Sequence, residues 1–216
     1  MIARMEAIDA SLPAADGVAW FNKLYLAVTR AVHGDLAEAT FADPRFLARL
    51  DVVFANLYLR ALDAAKEPPR AWAPLFACRR RKRIAPIQFA LAGMNAHINY
   101  DLPVALVQTC RDLGVDLLRA RRQHRDYLAV NGLLERTEAK VKRWFSTGFV
   151  GVVDVSLGDI DDRVAMWNVT RARDAAWVNA QTLWALRDAT AIRKRYLATL
   201  DRTVGFAGRG LLLPLE

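Results

Sequence analysis

The chain reads as all-α, a bundle of seven or eight helices around one central apolar helix. Three observations lead there. Apolar residues recur at three- and four-residue spacing along most of the 216 residues, the period of one helix face. Proline and glycine signals fall between those stretches, and only residues 149–155, after Gly148 and around Gly151, look extended. There is no internal repeat, low-complexity segment or Gly/Ser linker, so residues 1–216 are expected to form a single domain. A chain of this length buries roughly 70% of its unfolded surface without disulfide or metal staples.

Taken in order, Asp16 is an N-cap for a helix whose face is Trp20, Leu24, Ala27, Val28 and Ala31, ending at Gly34. Asp43-Pro44 pairs a cap with proline at the first helical position. Phe46, Leu47, Leu50, Val53, Phe54, Leu57 and Leu62 then continue the stripe to about residue 65, and Pro68-Pro69 ends it. A short helix fits residues 71–78. Residues 86–100 are apolar on nearly every side, which makes this helix central, and Ala92, Gly93 and Ala96 keep it thin enough for close neighbours. Pro103 disfavours a helical Leu102. The helix therefore kinks or breaks there, with Asp101 as cap of a segment running to about residue 112 and closed by Gly114.

A long charged helix over about 117–144 follows, with Leu128, Leu134, Val141 and Phe145 inward. Residues 149–155 read as an irregular connector or short hairpin arm. A helix with an acidic first turn fits 159–167. Another covers 172–187, with Ala176, Trp177, Ala180, Leu183 and Trp184 on one face, and a last one spans about 190–203. The glycine-containing tail from Gly205 is expected to pack back as an extended strap.

The formal charge of +8 and the run Arg79-Arg80-Arg81-Lys82-Arg83 raise nucleic acid as a partner. No helix-turn-helix spacing, zinc finger or aromatic stacking motif accompanies the charge, and a GC-rich genome yields arginine without selection for phosphate. Nucleic-acid binding is therefore not the expected role. Cys78 and Cys110 lie apart in apolar surroundings, which suits reduced core thiols and a cytoplasmic location. Residues 1–15 carry Arg4, Glu6 and Asp9 in place of a secretory apolar centre. The longest apolar run, 84–96, falls short of the about 20 residues that span a bilayer. No membrane span is expected, and nothing in the sequence sets an oligomeric state.

Residues 94–103, Met-Asn-Ala-His-Ile-Asn-Tyr-Asp-Leu-Pro, place hydrogen-bonding side chains where the chain is most apolar. Burying such groups without partners costs about 1–3 kcal/mol each. His97 and Asp101, four apart on a helix, can touch. A carboxylate holding one imidazole nitrogen fixes the tautomer and frees the other as base or ligand. The competing reading is architectural: His97 completes a core hydrogen bond near a helix end, and Asp101 caps the next helix. Asn95 and Asn99 form a second polar row, suited to a ligand carbonyl or to the backbone groups of a kink. Tyr58, Asp51 and His33 are further candidates to line a pocket, whereas His124 among arginines reads as a surface residue.

A metal would require His33, Asp51 or Glu135 to converge on His97 and Asp101, and no Glu-x-x-His or cysteine cluster supports one. The acidic group Asp159-Ile160-Asp161-Asp162 is more simply a helix start. The chain has no phosphate-cradling glycine loop, nucleophile elbow or dinucleotide fingerprint, so no nucleotide cofactor is expected.

The segment Asn95-Ala96-His97-Ile98-Asn99-Tyr100-Asp101-Leu102-Pro103 resembles the core of a bacterial family of unknown function marked by an Asn-Ala-His-Ile-Asn-x-Asp-Leu-Pro motif. Residues 51–62 and 175–186 are similar to that family's flanking helices. The resemblance implies an all-helical domain and draws attention to Asn95, His97, Asn99 and Asp101; it implies no reaction, cofactor or substrate. Two functions stay open. One is a cofactor-independent small-molecule enzyme of hydrolase, isomerase or cyclase type in secondary metabolism, with His97 and Asp101 as its acid–base pair and Asn95, Asn99 and Tyr58 positioning the substrate. The other is a ligand-binding or protein-interaction domain in which the motif is structural.

Overall fold

The computed structural model describes residues 1–38, 41–64, 66–132, 134 and 168–214, without the side chains of 31–33 and 35–38. Among them every regular element is helical: α1 (Ile2–Ser11), α2 (Gly17–Glu38), α3 (Pro44–Asp63), α4 (Ala73–Cys78), α5 (Pro86–Ala96), a π-helical turn (His97–Asp101) and α6 (Leu102–Asp112). A 3₁₀ turn (Leu117–Arg119) then leads to α7 (121–132), and α8 (Val169–Ala185) and α9 (Thr190–Leu211) complete the bundle. The expected inward positions Val141 and Phe145, Glu135, the extended stretch 149–155 and the helix 159–167 lie outside the described residues.

The caps fall where the sequence put them. Asp16 accepts the Val18 N–H at 2.9 Å, and Asp43 accepts the Phe46 N–H at 3.1 Å ahead of Pro44, each satisfying a donor orphaned at a helix start. α5 is the centre, with all of Ile87 to Gly93 buried. α2 and α9 pack on it, while α6 packs against α3 and α8. One apolar cluster lies among α3, α6, α7 and α8. A second joins α1 to α5 and α9. Half-buried Met94 touches both. Gly93 sits at the crossing with α2: a Cβ there would lie 2.4 Å from the Phe21 ring.

Several expected boundaries are corrected. α2 continues past Gly34 to Glu38. α9 continues to Leu211, so the strap expected from Gly205 is helix instead. Glycine serves packing at that point: a Cβ on Gly205 would stand 2.3 Å from the Arg70 carbonyl oxygen, so a side chain there must push the Arg70 backbone aside. The long helix expected over 117–144 is interrupted at Ala120 (ψ 51°). The buried face of α7 carries Tyr127, Val130 and Asn131, and Leu128, one position off it, is 39% exposed and not inward. Asp101 does not cap α6 with its side chain, because α5, the π turn and α6 follow one another without a break. Gly114, at φ 65°, is the positive-φ residue that closes α6.

The basic run is not one uniform patch. Arg79 donates from Nε to both oxygens of Asp16 at 2.9 and 2.8 Å, and its carbonyl accepts the Gly17 N–H, so it anchors the start of α2. Residues 80–83 are exposed. No helix among the described residues is long and apolar enough to cross a membrane.

Candidate functional site

The π turn exists because Pro103 has no N–H and its ring crowds the carbonyl four residues back. Widening the helix by one residue relieves the clash, and the Leu102 N–H accordingly bonds to the carbonyl of His97, five positions earlier. That turn carries His97 and Asp101, exposed by 2% and 3%. The imidazole Nδ1 lies 2.9 Å from Asp101 Oδ2. The same oxygen accepts the indole N–H of Trp72 at 3.1 Å. Nε2 is buried and has no hydrogen-bond partner among the described residues.

Aromatic rings enclose the imidazole. Phe54 stacks on it face to face, with centroids 3.6 Å apart and planes within 4°. Tyr25 meets it edge-on at 4.6 Å, and Phe21, Trp72 and Tyr58 stand 5.9, 6.0 and 6.1 Å away. Phe54 itself is half-buried, so one stacked ring separates the imidazole from solvent on that side. On α2, the hydroxyls of Tyr25 and Thr29 are also buried without a well-formed hydrogen bond.

Burial dominates the electrostatics. It holds the His97 imidazole well below its ordinary value near 6.5. It raises the Asp101 carboxyl, opposed by the Trp72 N–H and reinforced by the charge of Asp201. The Tyr25 phenol is raised by burial first and then by the charge of Asp51. Two protonation states of the dyad follow, differing by one proton. With Asp101 ionised, Nδ1–H donates to Oδ2 and Nε2 presents a lone pair. With Asp101 protonated, its O–H donates to Nδ1 and Nε2 becomes a donor.

Of the sequence-predicted residues, the fold joins His97 to Asp101 directly. Asn95 and Asn99 pair with each other, Asn99 Nδ2 donating to Asn95 Oδ1 at 3.1 Å. Asn95 Nδ2 in turn donates to the Val204 carbonyl at 2.9 Å, tying α5 to α9. Tyr58, 0% exposed, donates its hydroxyl to Asn22 Oδ1 at 3.2 Å, and burial pushes its phenol above the ordinary value. Asp51 is half-buried on α3 and reaches the site through its field at Tyr25. His33 belongs to α2, but its side chain lies outside the described residues. His124 is half-buried against Trp177, ring centroids 4.4 Å apart.

Trp72, Phe54, Tyr25 and Thr29 were not among the residues expected from sequence. Trp72 left a signal, since a buried indole N–H needs an acceptor. Its position is set by Asp201 on α9, whose carboxylate accepts the Arg70 and Ala71 N–H groups at 3.1 and 2.8 Å. No group of three or more His, Cys, Asp or Glu residues among the described ones could hold a metal ion.

Comparisons with known proteins give one positive result. No curated protein and no solved structure matches the chain. The profile of a family of unknown function, DUF5995, matches residues 1–214, and the chain belongs to that family.

Proposed function

We propose that this protein is an acid–base enzyme, free of nucleotide cofactor, that moves a proton on a small, largely apolar, oxygenated molecule at His97 Nε2. The observation carrying the proposal is the asymmetry of the imidazole: Nδ1 is held by Asp101 at 2.9 Å, while Nε2 is buried with no partner among the described residues. An unpartnered buried polar atom costs about 1–3 kcal/mol and calls for an explanation. A base or acid that meets its partner only on the substrate is such an explanation. Asp101 fixes the ring and stabilises the imidazolium formed when Nε2 takes a proton. The aromatic walls supply an apolar, water-poor enclosure in which a hydrogen bond to a substrate oxygen is strong. Proton abstraction and return at one position is isomerase- or cyclase-type chemistry. Entry requires displacement of Phe54.

A second reading is favoured by the 2% exposure of His97: the dyad and Trp72 act as an internal latch that fixes the π turn. Chemical modification separates the two. Diethyl pyrocarbonate acylates a neutral imidazole nitrogen that it can reach. Under the enzyme reading His97 reacts in the folded protein, more slowly than His124, and Phe54→Ala accelerates it. Modification of His97 only at the rate of global unfolding, with no response to Phe54→Ala, leaves the latch.

A further inference from the structure

Separate from the dyad, a cleft of about 320 Å³ opens between the turn before α4 and the outer face of α9, lined by Arg70, Ala73, Arg202 and Arg209. All three arginines are exposed. None is ion-paired among the described residues. Arg202 Nη2 lies 3.2 Å from Thr199 Oγ1, and the Arg209 guanidinium rests 5.8 Å from the centre of the Phe206 ring, itself 72% exposed. The nearby Asp201 forms no ion pair with them among the described residues; its carboxylate accepts the backbone N–H groups of Arg70 and Ala71 and offsets part of the arginines' charge.

Like charges gathered around a concavity repel one another. An anion between them relieves that repulsion and is met by planar, bidentate donors. A single phosphate presents its oxygens around one centre, whereas the two phosphoryl groups of a diphosphate can each engage a different guanidinium. The backbone that carries Arg70 is fixed against α9 independently of any ligand. Gly205 allows α9 to close onto the Arg70 carbonyl, 2.3 Å from where its Cβ would be, and Asp201, one turn earlier on the same helix, holds the Arg70 and Ala71 N–H groups. We infer that this cleft binds a compact polyanion of the diphosphate class through Arg70, Arg202 and Arg209.

Calorimetric titration of the full chain with inorganic pyrophosphate, phosphate and citrate tests the inference. Pyrophosphate should bind saturably at one site, about tenfold tighter than phosphate because a second phosphoryl group engages a further guanidinium, and should weaken as salt is added. Arg202→Ala/Arg209→Ala should lower that affinity by about tenfold or more, these side chains being exposed and their removal leaving the melting temperature nearly unchanged. Arg80→Ala/Arg81→Ala/Arg83→Ala, which removes charge elsewhere, should leave the affinity unchanged. Non-saturable heats, equal loss in both variants, or an unaltered affinity in the Arg202/Arg209 variant would each overturn the assignment. Citrate binding as tightly as pyrophosphate would overturn the diphosphate class.

Discussion

Two of the buried polar centres among the described residues are finished differently. Around Arg173 on α8, 7% exposed, the guanidinium donates to Asn131 Oδ1 at 2.5 Å and to the Tyr127 carbonyl at 2.7 Å. The Tyr127 hydroxyl donates back to the Arg173 carbonyl at 2.7 Å, and the guanidinium lies 4.0 Å from the centre of the Tyr127 ring. Each group named there answers another. Around His97 the imidazole uses one nitrogen and leaves the other unanswered, and the Tyr25 and Thr29 hydroxyls beside it lack well-formed partners. Both centres carry the desolvation cost of burial. The first offsets it with internal hydrogen bonds joining α7 to α8. The second leaves part of it unrecovered in the folded chain, and for that reason it is the candidate for chemistry.

The largest effect that tests the contrast is expected at the satisfied centre. Arg173→Ala leaves the Asn131 and Tyr127 oxygens buried without their donor and empties a packed volume. A loss of about 3–5 kcal/mol in urea denaturation is expected. A loss under about 1 kcal/mol would show that this network is not a structural one. Next comes Trp72→Phe, which removes a donor from Asp101 and some core volume, for about 2–3 kcal/mol. It also raises the Asp101 carboxyl further, observable by carbon NMR of that side chain.

Gly205→Ala should follow at about 1–3 kcal/mol, because its methyl meets the Arg70 backbone and pushes on the turn that delivers Trp72. Gly208→Ala is the control: the nearest atom, Asn95 Nδ2, is 3.6 Å away, an ordinary contact. It should stay within about 1 kcal/mol of the parent or stabilise slightly through helix propensity. Similar effects from the two substitutions would remove close approach as the reason for Gly205.

The smallest and most specific effect is in the pH dependence of stability. The folded His97 has a lowered pKa, so below about 6.5 the unfolded chain binds a proton that the folded chain refuses, and stability falls as pH falls. The folded Asp101 has a raised pKa. From about pH 4 upward the folded chain therefore holds a proton that the unfolded chain has lost, and stability falls as pH rises. Between about pH 4 and 6.5 the two contributions oppose each other. Asp101→Asn removes the second and uncovers the first. The difference between parent and variant should then decline with rising pH by up to about 1.4 kcal/mol per pH unit. A difference curve flat from pH 4 to 8 would mean that Asp101 is ionised throughout.

The helices were legible where local chemistry sets them. Asp16, Asp43-Pro44 and the apolar face of α8, Ala176, Trp177, Ala180, Leu183 and Trp184, lie as the sequence predicts. The glycines of α9 were misread because the same residue marks a helix end or a close crossing, and only the neighbour across the gap distinguishes them. At the site, the contact of His97 with Asp101 was legible from spacing alone. Trp72 and Phe54 were not, since nothing local ties residue 54 or 72 to residue 97.

What the sequence determined by itself is a helical bundle with α5 at its centre, a discontinuity before Pro103, and an imidazole within reach of a carboxylate there. Those follow from hydrophobic period, caps and the missing N–H of proline, all interactions reaching no further than about five residues. What only the tertiary structure decided is that the discontinuity is a π turn in a continuous helix, that five aromatic rings from α2, α3 and the start of α4 surround the imidazole, and that one of its nitrogens has no partner among the described residues. Burial and ring stacking depend on which distant residues share a volume, and that is set by the packing of all the helices at once.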